Sequence, residues 1–446
     1  MLDVIGAIES RIAGGPILPN VTVQEIRSHL TSRYDFSHSM ALEDVVADVE
    51  EMLSKWQVQV THPRYLGLFN PSVTKASVVA DTLTAACNPQ LATWRTSPAA
   101  NEIERHTLAW LSARFGFPDN AAANFTTGGA ESNLTAVVVA LTRMFHGYGE
   151  HGLTSLPARP TIYLSSEAHH SFHKIAHMAG LGRKALRTIA ADSRLRLDLE
   201  SLRKQIREDR QDGLAPFMVV GTAGSTAAGA IDPLPELAEI CNAQRLWFHV
   251  DAAWGGAAVI SPALRPHLNG IHLADSITCD AHKWFSVAMG AGMFFCRHAD
   301  ALAEAFHAET SYMPDKSPGA VFDPYVRSVQ WSRRFIGLKL FLGLAELGSE
   351  GYANQIEHQA QMGELLRESL RHTGWTVLND TPFPLVCFTR DGLDTQAFVA
   401  ALHKQQIAWM SQVEIGGVPV VRACITSFRT TAADIEYIIR EMNRLL

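Results

Sequence analysis

From about residue 120 onward, short apolar and β-branched runs alternate with longer stretches of helical periodicity: ANFTTGG, TIYLSS, FMVVGTAG, LWFHVDAA, SITCDA and MFFCR. Each run is long enough for a buried strand and too short for a helix, and several of the intervals are long enough to cross over a sheet. Parallel strands require such crossovers, whereas antiparallel neighbours need only a few linking residues. The pattern predicts an α/β domain on a mainly parallel sheet. In open sheets of this kind ligands bind beyond the carboxyl ends of the strands. The polar motifs TTGGAESN, EAHHSFHK, HVDAAWGG and DAHKW all fall at the ends of these runs.

The rest of the chain is organised around that block. Residues 1–60 read as a helical arm, because VQEIRSHL and LEDVVADVEEMLSKW repeat apolar positions at three and four residues; such an arm suits packing on a partner chain. Residues 61–340 form the expected large domain, within which 307–330 is Pro- and Gly-containing and aperiodic, as in a long mobile loop. A long helix follows from SRRFIGLKLFLGLAEL, and 341–446 reads as a smaller C-terminal α+β domain.

Charge and cysteine usage narrow the partners. With 38 Lys and Arg against 45 Asp and Glu, and no basic tract, the chain lacks the positive potential that nucleic acid or an anionic membrane would require. A small-molecule partner is expected instead. The six cysteines are scattered without the paired spacing of a zinc or redox motif, which suits reduced thiols in the cytoplasm. Neither a cleavable leader nor an apolar run long enough to span a bilayer is evident in the sequence.

The motifs carry chemistry together that none carries alone. Lys283, in Asp280-Ala281-His282-Lys283-Trp284, follows the strand SITC. A lysine in a buried setting can react as a neutral amine and form an imine with an aldehyde cofactor, although most lysines are surface charges. Asp251 ends LWFHV, beside the small residues Ala252 and Ala253. A buried carboxylate there could hold a protonated pyridine nitrogen, or simply cap a helix. The turn Thr127-Gly128-Gly129-Ala130-Glu131 precedes the helix LTAVVVALTRMF, so its amides and the helix dipole suit a phosphate. His169 follows TIYLSS and could stack on a cofactor ring. His169, His173 and His177 recur every four residues as metal ligands do, but HKIAH lacks the glutamate of the HExxH pattern, and no metal is expected.

In order, TTGGAESN, EAHHSFHK, GTAGSTAAGAIDP, HVDAAWGG, DAHKW and SRRF resemble the group II pyridoxal-phosphate-dependent amino-acid decarboxylases, from VTHPRY at 60 to the C-terminus. The resemblance implies a fold-type I, aspartate-aminotransferase-like architecture and a homodimer with active sites at the interface. It implies pyridoxal 5'-phosphate held covalently by Lys283, with Asp251 on the ring nitrogen, His169 on one ring face and Ala253 on the other. The phosphate would meet the backbone of Ala130 and Glu131, with Thr226 and His282 nearby. Many members have a serine where this chain has Ala130, and Ser132 is the candidate substitute. Tyr325 aligns with the mobile-loop tyrosine that protonates the substrate alpha carbon after carbon dioxide leaves, with Tyr312 as the alternative. By the same alignment Leu68, Phe69 and Asn70 line the substrate pocket, Thr93 and Trp94 reach it from the partner chain, and Arg422 supports it.

The expected reaction is decarboxylation of an L-amino acid to its amine. The apolar Leu68-Phe69 pair leans towards an aromatic or hydrophobic side chain. Against that, Arg64, Arg95 and the glutamate-decarboxylase-like segments HPRY and DAAWGG suit an acidic substrate, and a diamino acid also stays open. An aldehyde synthase or aminotransferase on the same fold, or a cofactor-binding protein without turnover, are the remaining readings.

Overall fold

The computed structural model describes residues 2–308 and 323–446. Tyr312 and most of the expected loop at 307–330 lie outside the described residues. The arm is helical, with α1 (Leu2–Gly14), α2 (Val23–Arg33) and α3 (Leu42–Lys55). Thr22 opens α2 with a capping box, its hydroxyl accepting from the Glu25 amide while the Glu25 carboxylate returns to the Thr22 N–H. Two further helices, α4 (Lys75–Cys87) and α5 (Pro98–Phe115), lead into the sheet.

Seven strands make that sheet: β1 (Ala122–Thr126), β2 (Pro160–Ser165), β3 (Leu186–Ile189), β4 (Ala215–Thr222), β5 (Trp247–Asp251), β6 (Ser276–Asp280) and β7 (Gly292–Cys296). Their order is β1-β7-β6-β5-β4-β2-β3, and only β7 runs antiparallel to its neighbours. The exception has a simple cause. Residues 281–291 between β6 and β7 are too few for a crossover helix, so the chain turns back beside β6.

Every residue of β5, β6 and β7 is buried, as expected where helices cover both faces. Successive side chains go to opposite faces. Phe248 and Val250 join one apolar cluster with Leu108, Leu111 and Phe115 of α5, whereas Trp247 joins a second with Val137, Val139 and Ala140 of α6 (Gly129–Met144).

A second sheet of four antiparallel strands follows, comprising β8 (Thr376–Val377), β9 (Leu385–Thr389), β10 (Ser411–Ile415) and β11 (Val418–Cys424). Its core combines Val386, Phe388 and Val421 with Leu366 and Leu370 of the long helix Leu338–His372 and Ile435 and Ile438 of the C-terminal helix. That long helix breaks at Gly348, whose φ of 63° and ψ of 178° favour glycine.

Candidate active site

Because β1, β2, β4, β5 and β6 point the same way, their final residues share one edge of the sheet. A cavity of about 370 Å3 opens there, lined by Phe69, the segment Thr127 to Glu131, Asn133, His169, Thr222, Thr226, Asp251, Ala253, Trp254, Asp280, His282 and Lys283 among others. Elements separated by more than 200 residues of sequence thus meet around one space. A larger cavity of about 520 Å3 between α5 and β1 holds only Trp94 of the residues expected at the site.

The floor is Asp251, buried at the end of β5. One carboxylate oxygen accepts from the Ala253 amide at 3.1 Å, and the other accepts from Asn133 Nδ2 at 2.8 Å. Asn133 is itself held, because its Oδ1 lies 3.0 Å from His249 Nε2, and His249 Nδ1 lies 2.9 Å from the Ser276 hydroxyl. Trp247 Nε1 donates to that hydroxyl at 2.9 Å. One assignment satisfies every contact: Trp247 donates to Ser276, Ser276 to His249, His249 to Asn133, and Asn133 to Asp251. Complete burial lowers the His249 pKa to about 4, so the ring is neutral as this chain of donors requires.

Lys283 occupies the short turn after β6. The turn is pinned by buried neighbours, with Trp284 stacked on Trp254 at 5.3 Å and set edge-on to Phe383 at 5.1 Å. Lys283 Nζ lies 3.2 Å from Asp280 Oδ2. Asp280 Oδ1 is buried without a hydrogen-bond partner. His282 Nδ1 accepts from the Ala291 amide at 3.0 Å, which leaves Nε2 to carry the proton of the neutral ring. Burial depresses the His282 pKa, with Asp280 opposing.

The start of α6 supplies the anion cradle. A Cβ on Gly129 would stand 3.0 Å from Asp280 Oδ2 and 3.2 Å from Ala253 Cβ, and one on Gly128 would stand 3.0 Å from His282 Cε1. Space favours glycine at both positions, since a Cβ would push these neighbours back by a few tenths of an ångström. The Glu131 and Ser132 amides donate to the Gly128 carbonyl, which leaves those of Gly129 and Ala130, at the start of α6, without a backbone acceptor and open to a ligand. The Glu131 side chain is turned back onto Thr127 and Gln330. Ser132 does not replace the missing serine, because its hydroxyl is buried at 2.7 Å from that of Thr126.

His169 lines the cavity just ahead of the helix Ser171–Met178 and accepts from the Ser171 amide on Nδ1. The surrounding protein lowers its pKa despite the opposing pull of Asp251, leaving a neutral ring with an Nε2–H donor. Phe69 stacks on Trp254 at 4.5 Å, and the Arg422 guanidinium carbon lies 5.0 Å from the Phe69 ring centre. Arg422 donates to the carbonyls of Gly67 and Thr226, while its buried Nη2 has no partner.

Other expected residues lie elsewhere. Leu68 is half exposed, and Asn70 makes only a long contact to Met289 Sδ. Thr93 and Trp94 are not among the residues lining this cavity, nor is Tyr325. These three are neighbours, because the Tyr325 amide donates to the Ala92 carbonyl and the Trp94 amide to Asp323. Arg64 is engaged with the carbonyls of Gln406 and Ile407, and Arg95 is exposed. Sequence reasoning missed Asp280, Asn133 and Thr222, whose buried hydroxyl lines the cavity without a partner. The position of Asp280 in DAHKW was a visible signal; the partners of Asn133 were not.

A cradle for an anion, a fixed carboxylate and an amine around one flat-walled space fit a phosphorylated pyridine aldehyde. Comparison with known proteins agrees. The model of the pyridoxal-dependent decarboxylase conserved domain matches residues 30–390. The aromatic-L-amino-acid decarboxylase of Bacillus atrophaeus is 29% identical over 86% of this chain and 82% of its own length. The acidic amino acid decarboxylase GADL1 of Bos taurus is 29% identical over 88% of this chain and 79% of its own. Among solved structures, the Catharanthus roseus tryptophan decarboxylase in complex with L-tryptophan superposes with a TM-score of 0.90 over 100% of this chain and 96% of its own, at 24% identity. The chain belongs to the pyridoxal-dependent decarboxylase family and is a pyridoxal-phosphate-dependent L-amino-acid decarboxylase.

Proposed function

We propose that the protein decarboxylates an L-amino acid with an aromatic or hydrophobic side chain, using Lys283, Asp251 and His169 around the cofactor. The observation that carries the placement is that Lys283, Asp251 and the open amides of α6 all face one cavity. Bound cofactor supplies a conjugated, protonated ring able to take up the electron pair left when carbon dioxide departs.

The protein's part is attachment, orientation and proton handling. Lys283 Nζ is the attachment amine, and the amides of Gly129 and Ala130 with His282 Nε2–H hold the phosphate. Thr226 borders the same space. Asp251 accepts from the ring nitrogen, with its orientation set by Asn133 and Ala253. Ala253 has no side chain large enough to block one ring face, and the neutral His169 covers the other. His169 Nε2–H is the donor that the cavity offers the substrate carboxylate, while Arg422, which does not line the cavity, supports Phe69 from behind through its bonds to the Gly67 and Thr226 carbonyls.

Phe69 and Trp254 line the cavity as a stacked aromatic wall, with the buried Trp284 packed behind Trp254. Burying a hydrophobic side chain against it is favourable by roughly 1.5–3 kcal/mol. Both arginines that argued for an acidic substrate are otherwise placed: Arg64 binds backbone carbonyls and Arg95 is exposed. The names of the relatives span aromatic and acidic substrates, so the wall decides our reading.

A homodimer completes the site in this reading. Thr93, Trp94 and Tyr325 cluster away from their own chain's cavity and would serve the partner's, where the Tyr325 phenol protonates the substrate alpha carbon. The arm supports the same arrangement. Leu42, Val46, Val49 and Leu53 lie on one face of α3 and are exposed, and neither α2 nor α3 has a buried residue. The arm at 1–60, the large domain at 61–340 and the small domain at 341–446 are the proposed divisions, and the cytoplasm is the proposed location.

The test is to incubate full-length protein and pyridoxal phosphate with a pool of L-amino acids and follow masses. One aromatic or aliphatic substrate replaced by its amine supports the reading. Consumption of glutamate, aspartate or a diamino acid would reject the proposed substrate class, and a ketoacid or aldehyde would reject amine formation.

A further inference from the structure

We infer that Asp280 is a proton-carrying contact of the cofactor phosphate: its carboxyl takes up a proton as the phosphate enters the cradle, which links cofactor affinity to pH. The inference rests on the phosphate placement proposed above.

Asp280 ends β6 with 1% of its surface exposed. Its carboxylate packs against the backbone of Gly129, where an added Cβ would stand 3.0 Å from Oδ2 and 3.5 Å from Oδ1. This is the stretch of backbone whose amides are open to an anion. Oδ2 faces Lys283 Nζ at 3.2 Å and His282 Nε2 at 3.6 Å, while the buried Oδ1 has no hydrogen-bond partner. An acceptor-only group therefore lies against an anion cradle with one oxygen unsatisfied.

The surrounding charges make the conflict sharper. Lys283 is the one lysine or arginine among the described residues lining the cavity, against the carboxylates of Glu131, Asp251 and Asp280. Glu131 from α6 is bonded to Thr127 and Gln330, and Asp251 from β5 to Asn133 and Ala253. His169 and His282 are neutral, with pKa values lowered by burial. On the same strand, burial holds the Cys279 thiol protonated. Lys339 is engaged with the carbonyls of Ala288 and Met289 and with Asp81.

A phosphate monoester carries about −1.5 to −2 charge near neutrality, its second ionisation lying near pH 6. Beside an ionised Asp280 it would meet a like charge, on the side of Oδ1, which has no donor of its own. A protonated carboxyl removes that charge and converts the unsatisfied Oδ1 into a donor to a phosphate oxygen. The proton comes from solvent and stays on the acid, so no covalent bond changes.

The probe is 4'-deoxypyridoxine 5'-phosphate, which keeps ring and phosphate but has no aldehyde for Lys283. It is titrated calorimetrically into the full chain freed of cofactor, in buffers of differing ionisation enthalpy, for wild type and Asp280→Asn. At pH 8 wild type should take up about one more proton than the variant, the ring-nitrogen proton being common to both. Between pH 7 and 9 wild-type affinity should fall more steeply than the variant's, by close to tenfold per pH unit. Equal proton uptake, or weaker binding by Asp280→Asn at pH 8, would overturn the inference.

If that variant does not fold, inorganic phosphate titrated into wild type decides, and uptake below about half a proton at pH 8 rejects it. Placement is tested separately by borohydride reduction of the cofactor-loaded chain and peptide mapping. Label absent from Lys283 would refute the cofactor placement. Label on Lys283 with no Asp280-dependent proton would refute this inference alone.

Discussion

Asn133→Ala tests whether the hydrogen-bonded chain behind Asp251 serves the cofactor. The substitution removes two buried contacts, 2.8 Å to Asp251 Oδ2 and 3.0 Å from His249 Nε2. These differ in when they matter. The His249 contact is present whether or not cofactor is bound, so its loss falls on folding stability, at about 0.5–1.5 kcal/mol plus the cost of an unsatisfied N–H. Water in the cavity can replace the Asp251 contact while the cavity is open. Once a ring covers the carboxylate, that replacement is gone. A hydrogen bond to a charged group contributes about 1.5–3 kcal/mol, so cofactor Kd should rise about 10- to 150-fold. Fluorescence titration of the cofactor-free protein measures the Kd, and circular dichroism checks that the variant is folded. A folded variant with Kd within threefold of wild type would refute the reasoning, leaving Asn133 as a packing residue.

Four further outcomes are expected. Tyr325→Phe should divert product from amine towards aldehyde, read by mass spectrometry; unchanged amine would remove the phenol from proton delivery. Lys283→Ala should abolish borohydride-trapped cofactor and turnover, and retention of trapped label would point to another amine. Leu42→Glu with Leu53→Glu should convert a dimer to monomer on light scattering, since each buried leucine is worth roughly 1.5–3 kcal/mol at an interface; an unchanged mass would dissociate α3 from assembly. His249, with its pKa lowered to about 4, binds fewer protons folded than unfolded between pH 6.5 and 4. Its stabilising effect is full above pH 6.5 and declines as pH falls, by roughly 3 kcal/mol at the acid limit. His249→Gln should flatten that part of the denaturation profile, and an unchanged slope would place the titration elsewhere.

The sheet was legible because its information is local. Runs such as LWFHV and SITC carry strand length, burial and a polar terminus within a few residues, and parallel direction then places Asp251 and Asp280 at one edge. The antiparallel β7 was less visible, since it follows from the shortness of the turn that carries Lys283. Lys283, His169 and Ala253 were legible for the same local reason: each stands at a strand end with a distinctive neighbour.

The second rank of the site depends on contacts that have no local signature. Asn133 and His249 are separated by 116 positions and Asp280 and Gly129 by 151, and neither pairing has a periodicity or spacing to betray it. An asparagine in the first turns of a helix ordinarily reads as a capping or solvent-facing residue. Only the register of β5 against β6, with His249 opposite Ser276, turns that amide into the link between a buried imidazole and Asp251. Motif residues report which chemistry is available. The sheet register decides which oxygen is held, which is left without a partner, and therefore where a proton must go.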